Sequence, residues 1–304
     1  MPASAATINT TLTNYAQGFS QDREASLASF IAPVVATGVA HGQYKRYSDK
    51  NSFQNPDTSR AITGPRKRIE FGADDPFFNC QPQGLEVLID DHERALAGPT
   101  ASALEEGKIR SVVDASHTSH EAAVFAAVKA AEAATASVGE WSNAAKDPID
   151  EMDAQIEAIS NEIGMMPNRM VIGLGAWRVL KHHALVKARV EGINTAVSLE
   201  ILAGMLLNPQ MEVRVGIMSR DSAKFGTAKN AVNIVGGEVF LFFGSDTATQ
   251  YDPSFAKTFS VDSSLIGSVK EYREERNASD VYAVDWSEDI QVTAPAAGRR
   301  ITLS

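Results

Sequence analysis

Residues 141–190 read WSNAAKDPIDEMDAQIEAISNEIGMMPNRMVIGLGAWRVLKHHALVKARV, and their order decides the fold. Asp147-Pro148 opens a helix, since Asp caps free amides and Pro tolerates the first helical position. Asp150, Glu151 and Asp153 occupy the first turns, where the helix dipole favours negative charge. Ile149, Met152, Ile156, Ile159 and Ile163 recur at helical spacing and predict one buried stripe. Gly164 ends the helix, Arg169–Leu174 predicts a short buried strand, and Ala176–Val190 predicts a second helix. No residue in the run belongs to a catalytic motif. A well-specified helix–strand–helix unit without chemistry points to assembly rather than conversion.

Outward from this unit the chain changes character on both sides. Residues 1–29 are rich in Ala, Thr, Ser and Asn without a strong period, which predicts an arm with little core of its own. FIAPVVATGVAHGQYKRY, residues 30–47, is broken for helix by Pro33 and predicts an extended segment. Residues 48–84 are punctuated by Asn55-Pro56, Gly64-Pro65, Asp75-Pro76 and Gln81-Pro82-Gln83-Gly84, and they read as a long two-stranded excursion from the body. LEVLID at 85–90 alternates as a half-buried strand does. From Thr100 to about Val138 the pattern is helical: nine of the eighteen residues in 121–138 are alanine, and Val124, Val128, Ala131, Thr135 and Val138 form one stripe. A break is expected near Ser116–Ser119, with Ser119 capping the second half. Beyond the central unit, 199–207 predicts a short helix, and 211–218, 231–237, 238–244 and 257–262 predict strands. Residues 281–289 and 301–304 then make a β-rich return to the first domain.

The 304 residues are 44% hydrophobic and 22% charged, a globular balance in a chain long enough for two domains. No apolar run approaches the roughly 20 residues of a membrane span. The opening MPASAATINTTLTNYAQGF lacks the basic start and apolar core of a signal peptide, so cytoplasmic synthesis is expected. The single cysteine, Cys80, cannot form an intrachain disulfide and fits a reducing compartment. A net charge of −10 disfavours a nucleic-acid binder with a broad basic face. The charge is uneven. Tyr44–Glu70 holds seven basic residues (Lys45, Arg46, Lys50, Arg60, Arg66, Lys67, Arg68) against Asp49, Asp57 and Glu70, so it carries +4 and leaves −14 for the rest. A basic extension on an acidic body suits contact between copies of one chain.

Each candidate for chemistry has a simpler explanation. Gly173-Leu174-Gly175 lies between strand and helix as a dinucleotide fingerprint would, but Arg178 stands where the third glycine belongs, so a packing turn is expected. His117 and His120, with Glu121 next, match no zinc motif and read as surface or cap histidines. His182-His183 diverge on a helix and cannot chelate together. Asp90-Asp91 and Glu105-Glu106 are adjacent carboxylates, which is not a catalytic geometry. Glu271, Glu274 and Glu275, mixed with Arg273 and Arg276, read as a solvated, salt-bridged face. Tyr44-Lys45-Arg46-Tyr47 could stack on single-stranded nucleic acid, though interface or core tyrosines fit an acidic chain better. No catalytic residue, cofactor or metal is expected.

Taken in order, the segments resemble the major capsid proteins of tailed bacteriophages, the Hong Kong 97 fold. FIAPVVATGVAHGQYKRYSDKNSF resembles the family's run from arm into extended loop, and RAITGPRKRIEF the loop's return. LEVLIDDHE resembles the strand leading to the spine helix. The run from WSNAAKDPIDEMDAQIEAI to PNRMVIGLGAWRVLKHHALVKAR resembles the start of the axial domain. GTAKNAVNIVGGEVFLFF and DPSFAKTFSV resemble its late strands and the return to the peripheral domain. The resemblance implies an α+β chain divided into an N-terminal arm (1–43), an extended β-hairpin loop (44–84), a peripheral domain with spine helix (85–144 and 248–304) and an axial domain (145–247). It further implies a homo-oligomeric icosahedral shell of hexamers and pentamers around double-stranded DNA that is contacted weakly, with no membrane. A separate scaffold, a portal and decoration proteins are partners of the kind expected, and the shell of a virion assembled in the host cytoplasm is the expected location. Lys45, Arg46, Arg66, Lys67 and Arg68 are the expected inter-subunit contacts. Some members of the family cross-link lysine to asparagine; Lys45, Lys50 and Lys67 lie in that segment, but no residue pattern carries the chemistry over. The same fold also serves encapsulin-like compartments with a protein cargo. An α/β enzyme using residues 145–250 is the third reading, for which the chain offers no converging polar groups.

Overall fold

The acidic helix forms where its caps put it. In a computed structural model that describes residues 7–13, 26–44, 46–47, 58–60, 62, 64, 66, 73–132, 136–191, 197–224, 226–245, 247–250, 252–262 and 269–303, Asp147 accepts the Ile149 amide at 3.0 Å, Pro148 occupies the first turn and Gly164 closes the helix at φ +70°. Ile149, Met152, Ile156 and Ile159 are buried.

In chain order the first elements are β1 (Thr7–Ile8), helix α1 (Leu27–Ile31), β2 (Val34–Ala36), β3 (His41–Gln43), β4 (Arg46–Tyr47), β5 (Ala73–Asp74), β6 (Phe77–Asn79) and β7 (Gln81–Asp90). Next come α2 (Asp91–Ala97), the spine helix α3 (Ala101–Ala131), β8 (Ser137–Gly139), α4 (Pro148–Ile163), β9 (Arg169–Gly173), α5 (Leu174–His182), α6 (Ala184–Val190) and α7 (Leu199–Met205). The chain closes with β10 (Glu212–Gly216), β11 (Ser219–Asp221), β12 (Ala231–Asn233), β13 (Glu238–Phe242), β14 (Ala256–Ser260), β15 (Val269–Glu274), β16 (Ser279–Val292) and β17 (Gly298–Leu303).

Two larger sheets organise these elements. The first runs β1-β15-β16-β14-β2, with β7 also on β16, paired from Ser279↔Asp90 to Glu288↔Gln81. The spine helix covers it through Ile109, Val112 and Val113, which meet Ile89, Tyr282, Val284 and Trp286. The second runs β10-β9-β13-β17-β8. Its strands β9 and β13 are buried on both faces: Met170, Ile172, Val239 and Leu241 face α4 to α7, while Val171, Phe240 and Phe242 face the spine helix and α1. Near-continuous apolar runs such as EVFLF are what two-sided burial requires.

Five expectations need correction. The first segment, residues 1–29, has a share of the core: among its described residues Leu12, Leu27 and Ala28 are buried, and Thr7↔Glu271 pairs β1 with β15. The spine helix runs unbroken through 116–119. Ser116 and Thr118 donate back to the Val113 and Asp114 carbonyls at 2.8 and 2.9 Å, so the hydroxyls stay inside the helix rather than cap a new one. The helix ends at Ala131, and Val138 lies in a strand, 66% exposed. The second helix divides at His183, whose extended backbone (ψ 134°) lets its ring approach the Asn143 carbonyl at 3.3 Å. Finally, of the closing residues 301–304, expected to return to the first domain, Ile301–Leu303 lie in β17 of the second sheet, with Ile301 opposite Val239 and wholly buried. Alternation within ITLS cannot say which of two sheets receives it.

Candidate inter-subunit surface

The basic excursion is rooted by aromatic packing. Phe78 lies flat on Phe259 with ring centroids 4.7 Å apart, Tyr44 meets the same ring at 5.2 Å, and Val35 and Cys80 complete the cluster. Gly42 is needed here because a Cβ would stand 2.6 Å from the Phe78 ring. The pairs His41↔Asn79 and Gln43↔Phe77 start the hairpin, the Cys80 amide donates to Ala40 at 2.7 Å, and the Asn79 amide donates to Asp289 at 2.8 Å. Burial pushes the Tyr44 hydroxyl and the Cys80 thiol above their ordinary values, so both stay protonated at neutral pH. Tyr44 is therefore a core residue, and the Cys80 thiol is an inert one.

Outward from this root, β4 and β5 continue the ribbon. Arg46 reaches Asp74 across it at 3.3 Å, both side chains largely in solvent. Such a pair stabilises by at most about 1 kcal/mol. Arg66 is exposed. Lys45, Lys67 and Arg68 lie outside the described residues, as do Lys50 and most of the loop between the strands. The structure thus places two of the five expected contact residues and gives one of them, Arg46, a partner within its own chain.

Packing and pairing account for several of the residues weighed for chemistry. A Cβ on Gly173 would stand 2.1 Å from the Gly236 carbonyl, which receives the Gly175 amide at 3.0 Å, so these glycines let two backbones touch. His117 and His120 are buried, 6% and 3% exposed, not surface or cap residues as expected. His120 Nδ1 lies 2.5 Å from Glu288 on β16 and ties the spine to the first sheet. Among the described residues, no three His, Cys, Asp or Glu side chains could hold one metal ion. Asp90 caps α2, Asp91 chelates Arg273, and Glu105 accepts from Arg94 at 2.8 Å. Arg94 and Arg273 both hold Asp280, so Arg273 ties α2 to the first sheet and Arg94 continues the link to the spine, while Glu275, paired with Arg273, and Arg276 stay in solvent as the salt-bridged face expected. Arg273 holds the Asp91 carboxyl below the usual aspartate range.

Sequence reasoning missed three further links. Arg299 pairs with Glu162 and Arg300 with Glu238, which also takes Lys129 of the spine at 2.5 Å. Lys257, 1% exposed, meets Asp252 at 2.9 Å. The arginine and Lys129 pairs join elements far apart in the chain, whereas Lys257 and Asp252 lie five residues apart and what marks their pair is burial.

The carboxylates of α4 divide into two groups. Asp147 pairs with Arg189 at 2.5 Å, Glu151 accepts from the Trp141 indole at 2.7 Å, and Asp153 accepts the Leu207 amide at 2.8 Å. Burial raises the pKa of Glu151 and of Asp153. Asp150 and Glu157 remain exposed on the opposite face.

No family model matches the sequence. Over 268 residues the chain is 24% identical to a protein named major capsid protein of Burkholderia phage BcepMu, covering 83% of this chain and 82% of that one. The crystal structure of a phage-related protein from Bordetella bronchiseptica RB50 superposes with a TM-score of 0.75 at 20% identity, over 98% of both chains. A structure titled Mycobacterium phage Bobi gives 0.59 at 12% identity over 92% and 90% of the two chains. The SrpI encapsulin of Synechococcus elongatus gives 0.58 at 11%, over 91% and 86%. At these identities the structural likeness establishes the fold, which phage shells and encapsulins share.

Proposed function

We infer that the chain is a major capsid protein of the tailed-phage type, a structural protein with the Hong Kong 97 fold and not an enzyme. One observation carries this reading: the likeness in sequence to a phage major capsid protein runs along more than four fifths of both chains. It therefore spans both sheets and the spine rather than one motif.

The chain assembles with copies of itself into hexamers and pentamers and then into an icosahedral shell around double-stranded DNA. Its net charge of −10 supports a lining that holds DNA weakly, since a strongly basic lining would resist packaging and release. The peripheral domain is built on the first sheet and the spine, and the axial domain on the second sheet, which takes β17 as well. The arm comprises residues 1–43, up to the end of β3. The extended loop reaches a neighbouring subunit through Lys45, Arg46, Arg66, Lys67 and Arg68, and the exposure of Arg66 and the +4 charge of its segment support that role. A scaffold, a portal and decoration proteins complete the particle in the host cytoplasm.

Electron microscopy of the purified chain, alone and with any scaffold encoded beside it, tests this reading. Capsomers or large closed shells are expected, and small monodisperse particles under every condition would overturn it. The fold shared with SrpI supports one rival, a compartment with protein cargo. Nuclease-protected DNA in native particles decides for the capsid, and a co-purifying enzyme decides for the compartment.

A further inference from the structure

We propose that the β11–β12 hairpin of one copy docks on the exposed face of α4 in the next copy, which is a head-to-tail contact around a ring. The proposal rests on the self-assembly inferred above and names one of its interfaces.

The hairpin is unusual in exposing all six of its paired residues. Ser219↔Asn233 and Asp221↔Ala231 pair, Met218 and Ile234 anchor the base in the core, and Ile217 and Val232 are left 73% and 43% exposed. Two strands alone are marginal in water. Residues 217–233 hold Arg220, Lys224 and Lys229 against one acid, Asp221, so the hairpin carries +2 on a chain of −10. Asp221 is turned inward, accepting the Ala223 and Asn230 amides at 2.9 Å. Lys224 and Lys229 are exposed and form no ion pair among the described residues.

The complement is on α4. Asp150, Ala154, Glu157 and Asn161 are exposed at i, i+4, i+7 and i+11, opposite the buried isoleucine stripe. Every other acid of this helix is engaged within the chain, while Asp150 and Glu157 have no ion pair among the described residues. Their spacing is about 10 Å along the axis, with alanine between them to admit an apolar side chain. Position makes the contact intermolecular. The second sheet separates the two surfaces, because α4 packs on the face of Met170 and Ile172 and the hairpin base on the face of Phe240. Complementary patches on opposite faces of one molecule generate rings when the rotation closes.

Charge exchange tests it. The variant Lys224→Glu/Lys229→Glu and the variant Asp150→Lys/Glu157→Lys should each fold with an unchanged melting temperature, as all four residues are exposed, and each should form capsomers at least tenfold less than the wild type by sedimentation. Mixing the two variants should restore even-membered rings, since each supplies the complement of the other, and the fourfold variant in one chain should assemble by itself. If the wild type assembles and the variants assemble equally well, or if mixing and the fourfold variant give no rescue, the contact is wrong while the capsid reading stands. If the wild type stays monomeric under all assembly conditions, both fail.

Discussion

Lys257 shows how much one side chain can hold that its local sequence does not announce. It is buried on β14, donating to the Asp252 carbonyl at 2.7 Å and facing its carboxylate. Burial lowers the lysine pKa against the pull of Asp252. Burial also opposes the charge of Asp252, but hydrogen bonds from Ser254 and Lys257 prevail and hold the aspartate low. Both folded values lie below the unfolded ones, so the unfolded chain binds each proton first. The contribution of Asp252 to stability is present above its ordinary value of 3.8 and is lost as pH falls through the folded value. Asp252→Asn leaves a buried ammonium unpaired and should cost about 3–5 kcal/mol in urea unfolding. Adding Lys257→Met should recover most of that loss, and the single variant should lose part of the wild type's decline in stability below pH 3.8. An equal cost in single and double variants would show that the pair is not the unit that matters.

Among elements, the spine helix and the root of the basic hairpin make opposite demands. The spine owes its existence to alanine and its continuity to tertiary packing, for His117 and His120 bury the stretch that sequence reads as a break. Ser116→Pro should therefore cost about 3 kcal/mol or more, removing an internal hydrogen bond. A natural hinge there would accept it with little change in the denaturation midpoint. The hairpin root depends on a few rings instead. Phe78→Ala removes the stack on Phe259 and should cost about 3–5 kcal/mol, with earlier proteolysis between residues 44 and 76 as its local sign. An unchanged midpoint and cleavage pattern would mean that the ribbon is held elsewhere.

For the whole molecule, the consequential property is charge placed at a distance from the core. Arg66→Ser/Lys67→Ser/Arg68→Ser removes +3 from a segment of +4. If those side chains touch an acidic neighbour at the rim of a contact, each pair is worth at most about 1 kcal/mol, but the effect repeats with every copy. Assembly yield should fall, most visibly at low salt, while the melting temperature of the isolated subunit stays within a degree or two. Equal assembly of variant and wild type would remove these residues from the interface. The acidic body remains after the substitution, so any change in DNA retention would report on the shell and not on the loop.

The sequence by itself determined the central helix and strand of this protein, the alanine-rich spine and the excess of positive charge between residues 44 and 70, because caps, periodicity and composition act within a few residues. Only the tertiary structure decided which sheet receives the final strand and that the histidines of the spine are buried. It alone placed Arg94, Arg273, Lys257 and Arg299 as anchors and set the exposed acids of α4 on the far side of a sheet from a basic hairpin. Apart from the Lys257–Asp252 pair, whose partners are five residues apart, those facts depend on contacts between segments tens to hundreds of residues apart, where free energy comes from burial and from pairing buried charge, and neither leaves a local period to read.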